Sequence, residues 1–72
     1  MGKKTVSLKP GEPYITLNVL LKITGVIATG GMAKMFLEEN QVLVNGEGEN
    51  RRGRKLYPGD VVEVSNDTFI IE

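Results

Sequence analysis

The fold is decided by residues 42–64, which read VLVNGEGENRRGRKLYPGDVVEV. Val42 and Val44 alternate with their neighbours, and residues 61–64 are rich in valine. Both patterns are typical of β-strands. Asn45-Gly46 favours a tight hairpin turn, and Tyr57-Pro58-Gly59-Asp60 fits a type II turn with Asp60 capping it. Residues 47–54 are polar and rich in glycine, which predicts a loop with room for one short strand.

The two ends of the chain add strands to this unit. On the C-terminal side, Asn66-Asp67 favours a turn and residues 68–71 favour a last strand. On the N-terminal side, residues 5–8 alternate as a short strand does, and Lys9-Pro10-Gly11-Glu12-Pro13 ends it because Pro-Gly favours a turn.

Two short helices are predicted between the first strand and Val42. The first has Thr16 as its N-cap and Gly25 just past its end. Its apolar side follows a helical repeat through Leu17, Leu20, Leu21 and Thr24. The second has Thr29 as its N-cap and Asn40 in a left-handed conformation as its stop. Its stripe is Ala33, Phe36 and Leu37, helped by Met32 or Met35.

These elements predict an α+β fold with two short helices packed on a small twisted antiparallel sheet. Residues 1–72 are too few for more than one domain. The chain has no Cys and no His, which removes disulfides, thiolate metal sites and the usual general base. Neither a signal peptide nor a membrane span is visible, so we expect a cytoplasmic protein. Because His and Cys are missing and no paired carboxylates are evident, we also expect that the protein is not an enzyme and needs no cofactor or small-molecule substrate.

The net charge of zero conceals alternating blocks of charge. Residues 1–37 sum to +4, 38–50 to −4, 51–55 to +4 and 56–72 to −4. A fold can place both positive blocks on one face, and a polyanion responds to that local field.

Two stretches are candidates for binding phosphate. Gly30 and Gly31 open the second helix where backbone N–H groups are free, and Lys34 lies one turn further on. The alternative is that the glycines only shape the turn. Residues 51–55, which hold Arg51, Arg52, Arg54 and Lys55, offer planar guanidinium groups. The alternative here is a solvated loop neutralised by Glu47 and Glu49.

The other polar and aromatic residues suggest structural roles. Tyr14 and Tyr57 each flank a proline, and each is as well suited to pack on that proline as to stack on a nucleic-acid base. Glu38 is spaced to contact Lys34. Phe36 and Phe69 lie on apolar stripes and are expected in the core. Because no pair of exposed aromatics on adjacent strands is evident, we expect any nucleic acid to be recognised by its shape and backbone rather than by its sequence.

Three blocks carry a resemblance to a known family. They are Thr29-Gly30-Gly31-Met32-Ala33-Lys34, then 42–46, then Arg51-Arg52-Gly53-Arg54-Lys55-Leu56 with 58–62. Their order and spacing resemble the RNA-binding domain of the ribosomal protein S-four family (the alpha-L motif), and the chain looks like its small stand-alone YaaA-type branch. The core of the resemblance spans about residues 15–64. Two cations of the general pattern are absent, at Thr16 and Gly30.

The resemblance implies a module that grips structured RNA, either ribosomal or transfer RNA, with ribosomal particles as further candidate partners and no membrane. Its implied role is accessory, in ribosome assembly or translation. Carried over by position, the RNA-binding residues are Lys34, Arg51, Arg52, Arg54 and Lys55. The start of the second helix adds Thr29, Gly30 and Gly31 as candidates, and the positive block of residues 1–37 adds Lys22. The alternative is a protein–protein adaptor whose basic loop docks an acidic partner, and DNA is a third possible target.

Overall fold

The computed structural model describes residues 2–65 and 67–72. The strands are β1 Gly2–Val6, β2 Ile15–Thr16, β3 Val42–Val44, β4 Glu47–Gly48, β5 Lys55–Leu56, β6 Val61–Val64 and β7 Asp67–Ile71. The helices are α1 Leu17–Ile23 and α2 Ala33–Glu39, with a 3₁₀ turn at Gly30–Met32 before α2. The predicted α+β class is therefore confirmed.

The main sheet is mixed, with the strand order β1-β7-β6-β3-β4. β3, β4, β6 and β7 pair in antiparallel fashion, whereas β1 pairs with β7 in parallel. The expectation of a purely antiparallel sheet is wrong at this one pairing. β1 and β7 are the first and last strands, so the rest of the fold connects them and no hairpin forces them to run in opposite directions. A second ladder of two strands joins β2 to β5 in antiparallel fashion.

The core lies on one face of the sheet. Alternate residues of the three central strands point inward and are buried, namely Val42, Val44, Val62, Val64, Phe69 and Ile71. The apolar side of α1 covers them, since Leu17, Leu20 and Leu21 are fully buried in the same cluster. Ala33 and Leu37 of α2 are buried there too, and Phe36 packs against the cluster. The period of two in the strands and of 3.6 in the helices therefore predicted the core correctly.

The end of α1 follows the sequence prediction. Thr24 is the C-cap, and Gly25 follows with a φ of 82°, the left-handed conformation that glycine adopts at no steric cost. The amide of Gly25 donates to the Lys22 carbonyl at 3.1 Å. Glycine at this position lets the chain reverse toward α2.

Three predictions about α2 are wrong: its N-cap, the methionines of its apolar face and the conformation of Asn40. Thr29 caps the 3₁₀ turn, without a side-chain hydrogen bond, and Met32 is the N-cap of α2. Two successive glycines are poor helix formers, so the α-helix begins only at Ala33. Met32 and Met35 do not extend the apolar stripe, because their exposed fractions are 49% and 65%.

Asn40 ends α2 in an extended conformation, with φ −130° and ψ 141°, and not in the predicted left-handed one. Its amide N–H and its side-chain Nδ2 both donate to the Phe36 carbonyl, at 2.8 Å and 3.1 Å. The extended backbone carries the chain directly into β3, which begins two residues later.

The two predicted turns flanking the basic stretch are confirmed. Asn45 and Gly46 have φ values of 53° and 85°, as a primed hairpin turn requires. Gly59 has a φ of 99°, and the Asp60 amide donates to the Tyr57 carbonyl at 3.0 Å. The Asp60 carboxylate caps this turn as predicted, since it accepts from the Tyr57 amide at 2.8 Å. The turn predicted at Asn66-Asp67 falls partly on Asn66, which lies outside the described residues.

Candidate nucleic-acid interface

A buried glutamate organises the basic loop, which we define as residues 49–55. Glu49 is only 8% exposed. Its Oε2 accepts from the Arg51 amide at 3.0 Å and from Arg51 Nε at 2.9 Å. Its Oε1 accepts from Arg51 Nη2 at 3.1 Å and from Arg54 Nη1 at 2.7 Å. One carboxylate therefore holds two arginines and the start of the turn between them.

The electrostatics of Glu49 follow from these contacts. Hydrogen bonds from the Arg51 side chain lower the pKa of the Glu49 carboxyl from 4.5 to about 2, with Arg54 adding to the effect and burial opposing it. The same contact raises the pKa of Arg51 above its usual value. Glu49 is thus ionised at neutral pH, and the net charge of its cluster with the four cations of the loop is +3.

The basic loop is fixed to the start of α1. The carbonyls of Arg54 and Arg52 accept from the amides of Leu17 and Asn18, each at 2.9 Å. These amides are the first N–H groups of the helix, which have no partner within it. Thr16 occupies the predicted N-cap position, but its hydroxyl donates to the Asn18 side chain instead. The backbone of the loop therefore replaces the side-chain cap.

The loop directs its cations to solvent. Arg54 donates its amide to the Arg51 carbonyl at 3.2 Å, which closes a turn with Arg52 near its tip. Arg52 and Lys55 are exposed, and the Arg51 side chain remains 72% exposed despite its bonds to Glu49. Lys55 Nζ lies 5.2 Å from the centre of the Tyr14 ring. Four cations are thus grouped on one short segment, and two of them, Arg51 and Arg54, are held by Glu49.

The other predicted residues lie on separate elements. Thr29, Gly30 and Gly31 belong to the 3₁₀ turn and its cap, and Lys34 is exposed on the first turn of α2. Across residues 2–65 and 67–72, no hydrogen bond or ion pair links this segment to the basic loop. Lys22 lies in the last turn of α1, whereas the loop contacts the first turn.

The conformation of the two glycines does not require glycine on internal grounds. A Cβ on Gly30 would meet nothing within 4 Å, and one on Gly31 would lie 3.8 Å from the Thr29 hydroxyl. Neither has a positive φ. The surface outside Gly30 is therefore open, and its role in phosphate binding stays a prediction.

Sequence reasoning missed two features of this region. It treated Glu47 and Glu49 alike, as acids that neutralise the basic loop, although Glu49 is buried and Glu47 is exposed. The burial of Glu49 depends on tertiary contacts, which a single sequence does not reveal. It also found no aromatic pair on adjacent strands, whereas the rings of Tyr14 and Tyr57 lie beside each other with centroids 5.5 Å apart. The predicted contact between Lys34 and Glu38 is wrong, since both ion pairs within the described residues involve Glu49.

Among the described residues, no helix is long and apolar enough to cross a bilayer. Nor does that part of the chain group three or more Asp or Glu side chains in a way that would hold a metal ion.

Comparison with known proteins assigns the family. A sequence model of the S4 domain matches residues 8–72. "Probable ribosome maturation protein RlbA" of Bacillus subtilis (strain 168) is 66% identical over 50 residues, which cover 69% of this chain and 70% of that protein. "Putative RNA-binding protein YbcJ" of Escherichia coli (strain K12) is 37% identical over 51 residues, which cover 71% and 73%. The resemblance inferred from the sequence is confirmed, and the chain belongs to the S4 domain family.

Proposed function

We propose that this protein binds structured RNA through the basic loop, as a non-enzymatic factor in ribosome maturation. The observation that carries the proposal is the order of the loop itself. Glu49 holds the side chains of Arg51 and Arg54, and the first turn of α1 holds the backbone of Arg52 and Arg54. A loop that is already ordered loses less conformational entropy when it meets a ligand, so more of its electrostatic attraction appears as affinity.

RNA backbone fits the loop better than a single small anion does. Arg51, Arg52, Arg54 and Lys55 are spread over five successive residues, which matches a run of phosphates. Guanidinium groups also match phosphate in a bidentate manner. The names of the two relatives, one a ribosome maturation protein and one an RNA-binding protein, support ribosomal RNA as the target, with transfer RNA as the second candidate.

A second phosphate contact is proposed at the start of α2. Lys34 is exposed there and the surface outside Gly30 is open. This contact is subordinate to the basic loop, because a single lysine contributes one charge where the loop contributes a net three. Its test is Lys34→Ala, which we expect to reduce the salt dependence by about one counterion.

The salt dependence of binding tests the proposal. With Glu49 cancelling one of four cations, about three phosphates are neutralised, so log K should fall with log salt at a slope of about −3 on duplex RNA. That slope corresponds to about a 60-fold loss of affinity when salt rises fourfold. Folded ribosomal RNA fragments would be titrated by fluorescence anisotropy, with duplex DNA of equal length beside them.

The informative variant is Arg52→Ala. Arg51 and Arg54 are unsuitable, because removing either takes away one of the two arginine partners of the buried Glu49 carboxylate, so that a change in stability could be mistaken for a change in binding. Arg52→Ala should reduce the slope by about 0.9, and combining it with Lys55→Ala by about 2. The matched control is Lys4→Ala, which removes the same charge beside Ile23 at the opposite end of α1.

Preference for RNA over DNA, with a slope that responds to Arg52 and not to Lys4, supports the proposal. Equal and weak binding of RNA and DNA that ignores the loop variants would overturn it. In that case, retention of the protein on an acidic partner would make the adaptor function the better account.

A further inference from the structure

The two-stranded ladder of β2 and β5 has an inner and an outer face. Ile15 pairs with Leu56, and both are buried in the core. Because successive side chains of a strand point to opposite faces, the neighbouring residues Tyr14, Lys55 and Tyr57 lie on the outer face. The register that buries Ile15 and Leu56 thus presents two aromatic rings and a cation together.

The two tyrosines are in contact. Their ring centroids are 5.5 Å apart and their planes are inclined by 50°, a favourable tilted arrangement for aromatic pairs. Tyr14 is half-buried and packs beside Tyr57, which keeps 47% of its surface exposed. The backbone of Tyr57 is held as well, since its amide donates to the Asp60 carboxylate at 2.8 Å. An exposed ring on a fixed backbone is a ready platform for stacking.

Cations surround this platform. Tyr57 lines an open groove together with Arg51, Gly53, Arg54, Lys55 and Asp60. Lys55 is steered toward the groove by its position 5.2 Å from the centre of the Tyr14 ring, within the range of a cation–π interaction. The groove therefore joins the basic loop to Tyr57.

The groove has charged groups of both signs in its lining. Arg51, Arg54 and Lys55 line one part, and the Asp60 carboxylate lies beside Tyr57. A phosphate is attracted to the cations and repelled by Asp60, so the base of the same nucleotide is the part that faces Tyr57. Both Asp60 oxygens already accept a hydrogen bond, from Tyr57 and from Asn45, which keeps that carboxylate in place.

We infer that Tyr57 stacks on an unpaired RNA base while the basic loop holds the adjoining phosphates. The inference rests on the proposed function and narrows it, because the preferred RNA is then a helix interrupted by a bulge or flanked by a loop. A continuous duplex keeps its bases stacked on one another and offers none to Tyr57. Stacking on aromatic side chains is tolerant of base identity, so the preference is for an unpaired position and not for a sequence.

The test uses two RNA hairpins that share one compact tetraloop, whose bases are stacked on one another, and that differ by one bulged adenosine. The intact protein should bind the bulged hairpin about 5- to 100-fold more tightly than the continuous one, since one base stacks on one ring. Tyr57→Leu should bring this ratio close to one, whereas the control Lys4→Ala, at the opposite end of α1, should keep it. Tyr57→Phe keeps the ring and should preserve the ratio, and thermal denaturation of each variant verifies that it folds.

Intrinsic fluorescence gives a second readout. The chain has two tyrosines and no tryptophan, so Tyr14→Phe leaves Tyr57 as the sole fluorophore while keeping both rings. Its emission should be quenched in step with binding of the bulged hairpin and much less by the continuous one. If Tyr57 had only a structural role, the two hairpins would quench its emission equally. Stacking predicts stronger quenching by the bulged hairpin than by the continuous one.

The outcomes separate this inference from the proposed function. If the protein binds both hairpins with equal affinity and a salt slope near −3, RNA binding through the loop stands and the stacking inference fails. If it binds neither hairpin, both fail together. A bulge preference that survives in Tyr57→Leu also overturns the inference, because another residue would then receive the base.

Discussion

Replacing Glu49 with glutamine should loosen the basic loop. The Glu49 carboxylate accepts hydrogen bonds through both oxygens, from the Arg51 amide, the Arg51 side chain and the Arg54 side chain. A glutamine amide offers one oxygen only, and its NH₂ group is a donor that faces the guanidinium donors. Glu49→Gln therefore removes the hydrogen bonds accepted by one of the two oxygens. It also places an NH₂ donor against the N–H donors of the arginines, at a site that is largely buried.

The magnitude follows from the pKa. Lowering the pKa of Glu49 from 4.5 to about 2 corresponds to about 3 kcal/mol of stabilisation, at about 1.4 kcal/mol per unit. Solvent reduces this figure, because the Arg51 side chain is 72% exposed and that of Arg54 is 33% exposed. We expect Glu49→Gln to lower the free energy of unfolding by about 1–2 kcal/mol at pH 7.

Circular dichroism during heating measures the effect. In a domain of this size, 1–2 kcal/mol lowers Tm by about 5–15 °C. Because the pKa of Glu49 is lower in the folded state, the stabilisation is complete above about pH 4.5 and is lost as the pH falls toward 2. The difference in Tm between the native protein and Glu49→Gln should therefore shrink over that range.

The matched control is Glu47→Gln, two residues away on β4. Glu47 is exposed and takes part in neither of the ion pairs found among the described residues, so its variant should keep the native Tm. Equal Tm values for Glu49→Gln and the native protein at pH 7 would refute the claim that Glu49 organises the loop. So would a difference that persists unchanged down to pH 2.

Two further substitutions test the fold that supports the loop. Leu20→Ala removes a fully buried side chain and should cost about 2–5 kcal/mol by denaturant titration, whereas the half-exposed Val19→Ala should cost less than about 1 kcal/mol. If the two cost the same, the assignment of the core face of α1 is wrong. Gly59→Ala should destabilise by about 1–2 kcal/mol, because the φ of Gly59 is 99°. Gly53→Ala, where φ is negative and the space is open, should be neutral or slightly stabilising, and equal losses at both glycines would contradict the turn geometry.

The elements whose information is local were predictable from the sequence. The leucine repeat of α1, the alternation in β3 and β6, and the turns at Asn45-Gly46 and Gly59 depend on neighbours a few residues apart. Propensity and periodicity therefore determined them. Asn40 shows the limit of this reasoning, since its conformation depends on where β3 must begin and not on its own preference.

The interior of the candidate site was not predictable for the same reason. Nothing local distinguishes Glu47 from Glu49, yet only Glu49 is buried, because its amide bonds to the Val42 carbonyl at 2.8 Å and turns its side chain toward Arg54. Tyr14 and Tyr57 are far apart in sequence and meet only through the register of β2 and β5. Long-range pairings of this kind leave no periodic signal in a single sequence.

Glu49 also resolves the apparent conflict between a net charge of zero and a polyanionic ligand. Four cations within residues 51–55 repel one another, and a flexible loop would relieve that repulsion by spreading them apart. One buried carboxylate reduces the charge of the cluster from +4 to +3 and in return fixes two arginines and the turn that carries Arg52. Of the remaining acids, Asp60 lines the groove that adjoins the loop and lowers the positive field there. Exposed acids more than about 10 Å from the loop lower the total charge with little effect on that field, because salt screens them. A small protein can therefore stay neutral overall and still present a strong, ordered positive surface, provided that one of its acidic residues is placed inside the basic cluster.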